Sequence, residues 1–320
     1  MPELFTNLFH DLFWPLGRLL ILISCSLLAA NFIESLNWTR RIALLARPLV
    51  RLSNLSSTTG ASFSLAIFSG IAANTLLAEA YNDQRISKQE LVLANLFNSL
   101  PTYFLHLPTV LFITASLIKG AAVIYVAITL GAALLRTMAI LVVSRFVLKP
   151  PADRDLSAMG QEQTGNKNLR EVAALSFQRF KKRLPRIIKF TLPIYVLIYL
   201  MNRSHFFTDL EQIMAGYLSF LPWLSPQSMG IITLHIAAEF TAGLAAAGAL
   251  LQDGSLGQQE IILALIVGNI LSSPVRAIRH QFPFYAGIFR PRLAAELIIC
   301  NQLFRIISLI FTGTLYFLAS

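Results

Sequence analysis

The chain has 320 residues, of which 55% are hydrophobic and only 13% charged, and its mean hydropathy is +0.63. Soluble domains carry roughly 25% charged residues, so this composition excludes an ordinary soluble domain and points to an all-helical integral membrane protein. The net charge of +10 is read as Lys- and Arg-rich cytoplasmic loops and not as a nucleic-acid-binding surface.

Phe13 to Leu36 is the first apolar run, long enough to cross a hydrocarbon layer of about 30 Å. No basic segment followed by a small-residue cleavage site precedes it, so it reads as a retained span and not a signal peptide. Thr39 to Leu52 alternates Arg40, Arg41, Arg47 and Arg51 with Ile42, Leu45, Leu49 and Leu52, the pattern of a helix lying on the membrane surface. Gly60 to Tyr81 is interrupted at Ser69-Gly70, and its length fits either one crossing helix or a re-entrant hairpin. A further run from Gln89 to about Leu117 breaks at Asn98-Ser99-Leu100-Pro101, where proline removes a backbone donor. Gly120 to Leu148 is the next span, with Arg136 in its middle.

From Lys149 to Lys189 there are ten Lys and Arg against four Asp and Glu, which places this loop in the cytoplasm. Ile187 to Met201 follows as a span, and Phe206 to Leu224 as a second surface helix. Ser228 to Pro283 carries Glu239 in one apolar run. A second run there is broken by Gly268-Asn269-Ile270-Leu271-Ser272-Ser273-Pro274 and followed by Arg276, Arg279 and His280. Pro291 to about Ala319 is the final span, with Arg305 inside it. Cys25 and Cys300 fall in apolar runs, where a thiol serves as a small hydrophobe, so neither a disulfide nor a metal site is expected.

The order of features repeats. At an offset of 170 residues Gly60 falls on Gly230, Asp83 on Asp253, Gln89 on Gln259 and Glu90 on Glu260, and with slight slippage Asn98 pairs with Asn269, Pro101 with Pro274 and Arg136 with Arg305. The expected organisation is a first repeat over residues 1–148, a basic cytoplasmic linker over 149–186 and a second repeat over 187–320. Each repeat is read as span, surface helix, interrupted run, broken helix and span. With the interrupted runs as hairpins the repeats have opposite orientation, the basic loops all fall inside, and both termini lie outside a multi-pass inner cell membrane protein. Paired broken helices in inverted repeats are the sequence pointer to a secondary transporter with a midplane site.

This order resembles the transport core of the concentrative nucleoside transporters and the related nucleoside-recognition, or Gate, domain proteins. Ala238-Glu239-Phe240-Thr241-Ala242 is similar to their Asn-Glu-Phe-x-Ala hairpin tip, and Gly268-Asn269-Ile270-Leu271-Ser272-Ser273 to their Gly-x-x-Asn-x-Ser-Ser break. The resemblance implies ribose contacts from Glu239, Asn269 and Ser272 or Ser273. The first tip, Phe68-Ser69-Gly70-Ile71-Ala72, lacks the Gln-Thr-Glu that would contact a base, and Ala238 stands where that family has Asn. Gate domains also occur in spore-maturation membrane proteins and in the ferrous-iron permease. The alternatives to transport of a nucleoside-like or nucleotide-like solute are therefore a non-transporting assembly factor and an ion permease.

Ionisable and polar groups in apolar helices mark functional sites by default. Glu239 has two readings, a ligand or proton site and a structural ion pair. His235, four residues before it, is either a proton shuttle or a core histidine. Asn98, Ser99, Asn269, Ser272 and Ser273 are expected to hold substrate or a coupling ion, Na+ or H+, where the helices unwind. Arg136, Arg276, Arg279 and Arg305, with His106 and His280, either contact an anion bidentately, or snorkel to the surface and pair with Glu79, Glu239 or carbonyls. No P-loop, zinc-protease motif, Cys/His cluster or nucleophile elbow is present, so neither an enzyme nor a cofactor is expected. The lipid bilayer and a small-molecule substrate are the expected partners, with a homo-oligomer left open.

Overall fold

A computed structural model describes residues 46–150, 225–237 and 240–319, with single positions between 9 and 25 and between 174 and 216. Apart from those single positions, the expected spans at Phe13–Leu36 and Ile187–Met201, the surface helix at Phe206–Leu224, the greater part of the surface helix at Thr39–Leu52, the 149–186 linker beyond its first two residues, and Glu239 lie outside the described residues. The described residues are mainly helical, with no strand among them. In chain order the helices are α1 (Arg47–Arg51), α2 (Ser57–Ala66), α3 (Gly70–Asn82), α4 (Lys88–Phe97), α5 (Ser99–Ile118), α6 (Ala121–Val147), α7 (Pro226–Ala237), α8 (Phe240–Gln252), α9 (Gln258–Arg276), α10 (Phe282–Phe289) and α11 (Pro291–Ala319). Among the described residues four stretches are long and apolar enough to cross a membrane: Lys88–Ile118, Ala121–Val147, Gln258–Phe289 and Pro291–Ala319.

The helices group into two compact units, each drawing on both halves of the sequence. The first takes described residues within Met1–Leu105, Thr137–Leu197 and Phe282–Asn301, and the second within His106–Arg136, Ile198–Gln281 and Gln302–Ser320.

In the first unit α2 and α3 fold back on one another around Ser69, whose hydroxyl caps α3 by accepting from the Ala72 amide. A single crossing helix over Gly60 to Tyr81 is thereby excluded. Gly60, Ala61, Ser62 and Ser64 keep α2 thin enough for close approach, and the Ser62 hydroxyl donates to the Ala73 carbonyl across the pair at 3.2 Å. After α3 the chain turns through Gln84, at φ +58. Its amide reaches the Tyr81 carbonyl and the Arg85 amide the Ala80 carbonyl, so the freed carbonyls at the helix end are satisfied. Ser87 then caps α4 by accepting from the Glu90 amide. The Glu90 carboxylate turns to the hairpin, accepting from the Ser56 amide and the Thr59 hydroxyl, both at 2.9 Å. Leu77, Ala80, Leu91, Ala94, Ala286 and Phe289 share one apolar core.

The second unit packs α7, α8 and α9 around a core that includes Tyr125, Ile232, Ile236, Leu244, Ala247 and Leu265. A Cβ on Gly248 would stand 2.5 Å from the Leu117 carbonyl oxygen, so only glycine permits this approach of α8 to α5. Gly254, at φ +76, turns the chain between α8 and α9.

One expectation needs correction. The first long helix is interrupted at Asn98, between α4 and α5, as the missing N–H of Pro101 and the orphaned Phe97 carbonyl lead one to expect. The second is not broken at Gly268 to Pro274. There α9 runs unbroken through Pro274 to Arg276, and the irregularity follows as a π-helical stretch, Ala277–Gln281. The π stretch lies on the C-terminal side of Pro274, whereas the bond that the proline removes is the one to the Ile270 carbonyl on its N-terminal side.

Candidate functional site

The second unit gathers its polar side chains around Asn269. This residue is buried on α9, inside a helix apolar enough to span a membrane. Its amide nitrogen donates to the Tyr125 hydroxyl on α6 at 3.1 Å. Its amide oxygen accepts from two guanidinium groups, Arg276 at 3.2 Å and Arg305 at 3.0 Å. Arg276 lies seven residues further along α9 and Arg305 comes from α11, so three helices meet here. One neutral oxygen thus holds two cations. Their donor nitrogens are within about 6 Å of each other, where like charges repel by roughly 3 kcal/mol at an effective dielectric of 20. Buried Arg136 on α6 lies within electrostatic reach of Arg305 and adds to this field.

Three further groups surround the amide. Ser273 donates to Gln302 Oε1 at 2.5 Å, tying α9 to α11 one turn before Arg305. Ser272, three residues from Asn269 and so near the same helix face, is buried with no hydrogen-bond partner for its hydroxyl among the described residues. His235 on α7 is 0% exposed, and neither ring nitrogen has a hydrogen-bond partner among them. Its imidazole packs against α9 where Gly268 leaves room, since a Cβ there would stand 2.7 Å from Nδ1. It also packs on the Phe240 ring, at 5.3 Å between centroids. Arg276 and Arg305 both act on it electrostatically. A burial this complete normally leaves polar atoms partnered.

Of the expected site residues, the structure therefore brings Asn269, Ser272, Ser273, His235 and Arg305 into one unit, with Arg136 nearby. Arg279 and His280 fall in the π stretch after α9, with His280 exposed. Asn98 and Ser99 belong to the first unit. There the Asn98 amide donates to Ser62 Oγ at 2.6 Å and its Oδ1 has no hydrogen-bond partner among the described residues. A second amide, Asn95, donates to Asn74 Oδ1 at 2.9 Å and to the Tyr285 hydroxyl at 3.3 Å. His106 is exposed on α5.

Sequence reasoning missed Tyr125, Gln302, Asn95, Asn74 and Tyr285. For Gln302 a signal existed: it stands three residues before Arg305 in an otherwise apolar helix, so both mark the same face. The first unit also holds a cleft of about 790 Å³ at its helix ends, lined by Tyr81, Arg85, Lys88, Arg290, Arg292 and Glu296. Its Lys88–Glu296 pair, at 2.5 Å, is partly exposed, and such surface pairs contribute little. Among the described residues no group of three or more His, Cys, Asp or Glu side chains is placed to hold a metal ion.

No protein-family model matches the chain, and no solved structure matches it. It is similar to three proteins of Methanocaldococcus jannaschii, each titled only as an uncharacterized protein. MJ0871 is 25% identical over 288 residues, covering 89% of this chain and 87% of the relative. MJ1556 is 24% identical over 304 residues, covering 95% and 92%. MJ0880 is 23% identical over 307 residues, covering 91% and 94%.

Proposed function

We propose that this chain is a secondary membrane transporter for a small polar solute, nucleoside-like or nucleotide-like in size. It is built as two inverted repeats, and it carries the solute by alternating access at the Asn269 site. The observation that carries the reading is Asn269 itself, an amide in an apolar helix whose oxygen is shared by two arginines. Such groups are costly at membrane depth and are retained where a cavity or a ligand uses them.

The element boundaries support the repeat. At the 170-residue offset the start of α3 falls on that of α8, the start of α4 on that of α9 and the start of α6 on that of α11. The left-handed turn residues Gln84 and Gly254 fall on each other as well. The two compact units exchange equivalent pieces in the same way, each taking one hairpin and parts of long helices from both halves.

Length supports reading the helix pairs as re-entrant. The arms of the two pairs have 10 and 13 residues and 12 and 13 residues, so each is about 15–20 Å long and falls short of a hydrocarbon layer of about 30 Å.

Uptake of nucleosides, nucleotides and other phosphorylated solutes into proteoliposomes tests the proposal. The expected result is entry of at least one solute, and a loss of about tenfold or more in Asn269→Ala, the scale of a buried hydrogen bond to charged groups, with the protein still folded. A protein that admits none of them, and in which Asn269→Ala changes nothing, acts as an assembly factor instead.

A further inference from the structure

We infer that the cleft of the first unit, where α4 and α11 begin, binds a phosphate group carried by an anionic lipid headgroup or by a soluble phosphate ester. The inference is independent of the transporter reading, since no residue of the Asn269 site takes part in it.

At about 790 Å³ the cleft has the size of a small-molecule site, and its charge is unbalanced. Lys88 and Arg292 share the single carboxylate of Glu296, at 2.5 Å and 3.8 Å. Arg290 lines the same cleft and has no ion-pair partner among the described residues. Three cations therefore face one carboxylate. Arg85 also lines the cleft but pairs with Asp83 at 3.6 Å, so the excess does not depend on it. The starts of α4 and α11 border the same space, and the unbonded first amides of a helix favour negative charge. Guanidinium groups match phosphate oxygens with paired donors, whereas a cation would be repelled here.

Lys and Arg are common at the ends of membrane helices, but the backbone adds an independent observation. Gln84 and Arg290, both lining the cleft, hold left-handed φ of +58 and +69. Glycine takes that conformation without steric cost, and Gly254, 170 residues after Gln84, does so at φ +76. An amide and a guanidinium are thus kept, against backbone preference, at the two turns that edge the cleft, and strain of this kind gathers where side chains bind. Two stretches long and apolar enough to cross a membrane, Lys88–Ile118 and Pro291–Ala319, begin here, so in a bilayer the cleft lies at headgroup level, where basic pockets between helices take lipid phosphates.

Thermal melting of the full-length protein in detergent micelles tests this, with dioleoylphosphatidylglycerol titrated against dioleoylglycerol, which lacks the phosphate. Glycerol 3-phosphate against glycerol, at matched ionic strength, asks the same of a soluble ester. The phosphate-bearing member of at least one pair should raise the melting temperature while its phosphate-free partner does not. A response to the lipid alone identifies a headgroup, and a response to glycerol 3-phosphate identifies a soluble ester.

Arg290→Gly removes a cation and relieves the left-handed strain together, so it should fold as the wild type does and bind the phosphate about fivefold more weakly, the scale of one cation at a membrane surface. Should it fail to fold, Arg292→Gln, at a side chain 97% exposed, should weaken the same phosphate to a similar degree. Lys119→Gly makes the matched change at φ +50, outside the cleft, and should leave the response unaltered. Equal stabilisation by the phosphate-free partners, a response that survives both Arg290→Gly and Arg292→Gln, a response weakened as much by Lys119→Gly, or no response to either phosphate would overturn the inference.

Discussion

Two glycines let α8 and α9 close on His235. A Cβ on Gly243 would lie 2.8 Å from His235 Cβ and 3.1 Å from its Cα, and a Cβ on Gly268 would lie 2.7 Å from Nδ1 and 2.9 Å from Cβ. Turning the ring moves Nδ1 but leaves Cβ in place, so both would meet atoms fixed by the α7 backbone. Gly243→Ala and Gly268→Ala should therefore each lower stability by about 1–3 kcal/mol, read by thermal melting. Melting of either variant like the wild type would contradict the packing described for α7, α8 and α9. Asn269 was legible in the sequence because an amide stands out in an apolar run. Tyr125 was not, since one hydroxyl on an otherwise apolar helix face leaves no spacing to read. Arg276 was legible as a charge but not as a partner of Asn269, because seven residues along a helix is two turns and a long side chain reaches either to the surface or back.

At the scale of elements, the long helices were legible, their ends marked by Gly, Pro and charge. The expected Gly120–Leu148 appears as Ala121–Val147, and the last span at the bounds read for it. The Gly268 to Pro274 stretch was not. Its poor helix formers are held helical by contacts that cannot be seen locally: Asn269 to Tyr125, Ser273 to Gln302 and Gly268 against His235.

Two short contacts make the element account testable. Glu90 joins α4 to the start of α2 through two hydrogen bonds to its carboxylate. Glu90→Ala should destabilise the protein by about 2–3 kcal/mol, the scale for hydrogen bonds to a charged group, and Glu90→Gln by less, again by thermal melting. Between α8 and α9 the Ser255 hydroxyl and amide hold the Asp253 carboxyl below its usual range. A folded pKa below the unfolded one adds stability that is present above the unfolded value and disappears as pH falls through the folded one. Stability should therefore decline with acid more gently in Asp253→Asn than in the wild type, and identical pH profiles would contradict this role.

For the whole molecule, the helical membrane class was legible from composition, and the proposed repeat rests on the 170-residue recurrence of features. The interleaving of the halves was not, because sequence order carries no record of which half-helix joins which compact unit. The proposed transport requires a buried polar site in the second unit that opens alternately to the two sides of the membrane. Ser272 is the residue to ask: its hydroxyl is buried in the site and has no hydrogen-bond partner among the described residues, so a cysteine fits there with little disturbance. With Cys25 and Cys300 replaced by Ser, the measurement is the labelling of Ser272→Cys in sealed vesicles by a membrane-impermeant thiol reagent, added on one side or the other. Alternating access predicts labelling from either side, slowed from both by a bound ligand. Labelling from neither side, or from one side only whatever the ligand, would contradict it.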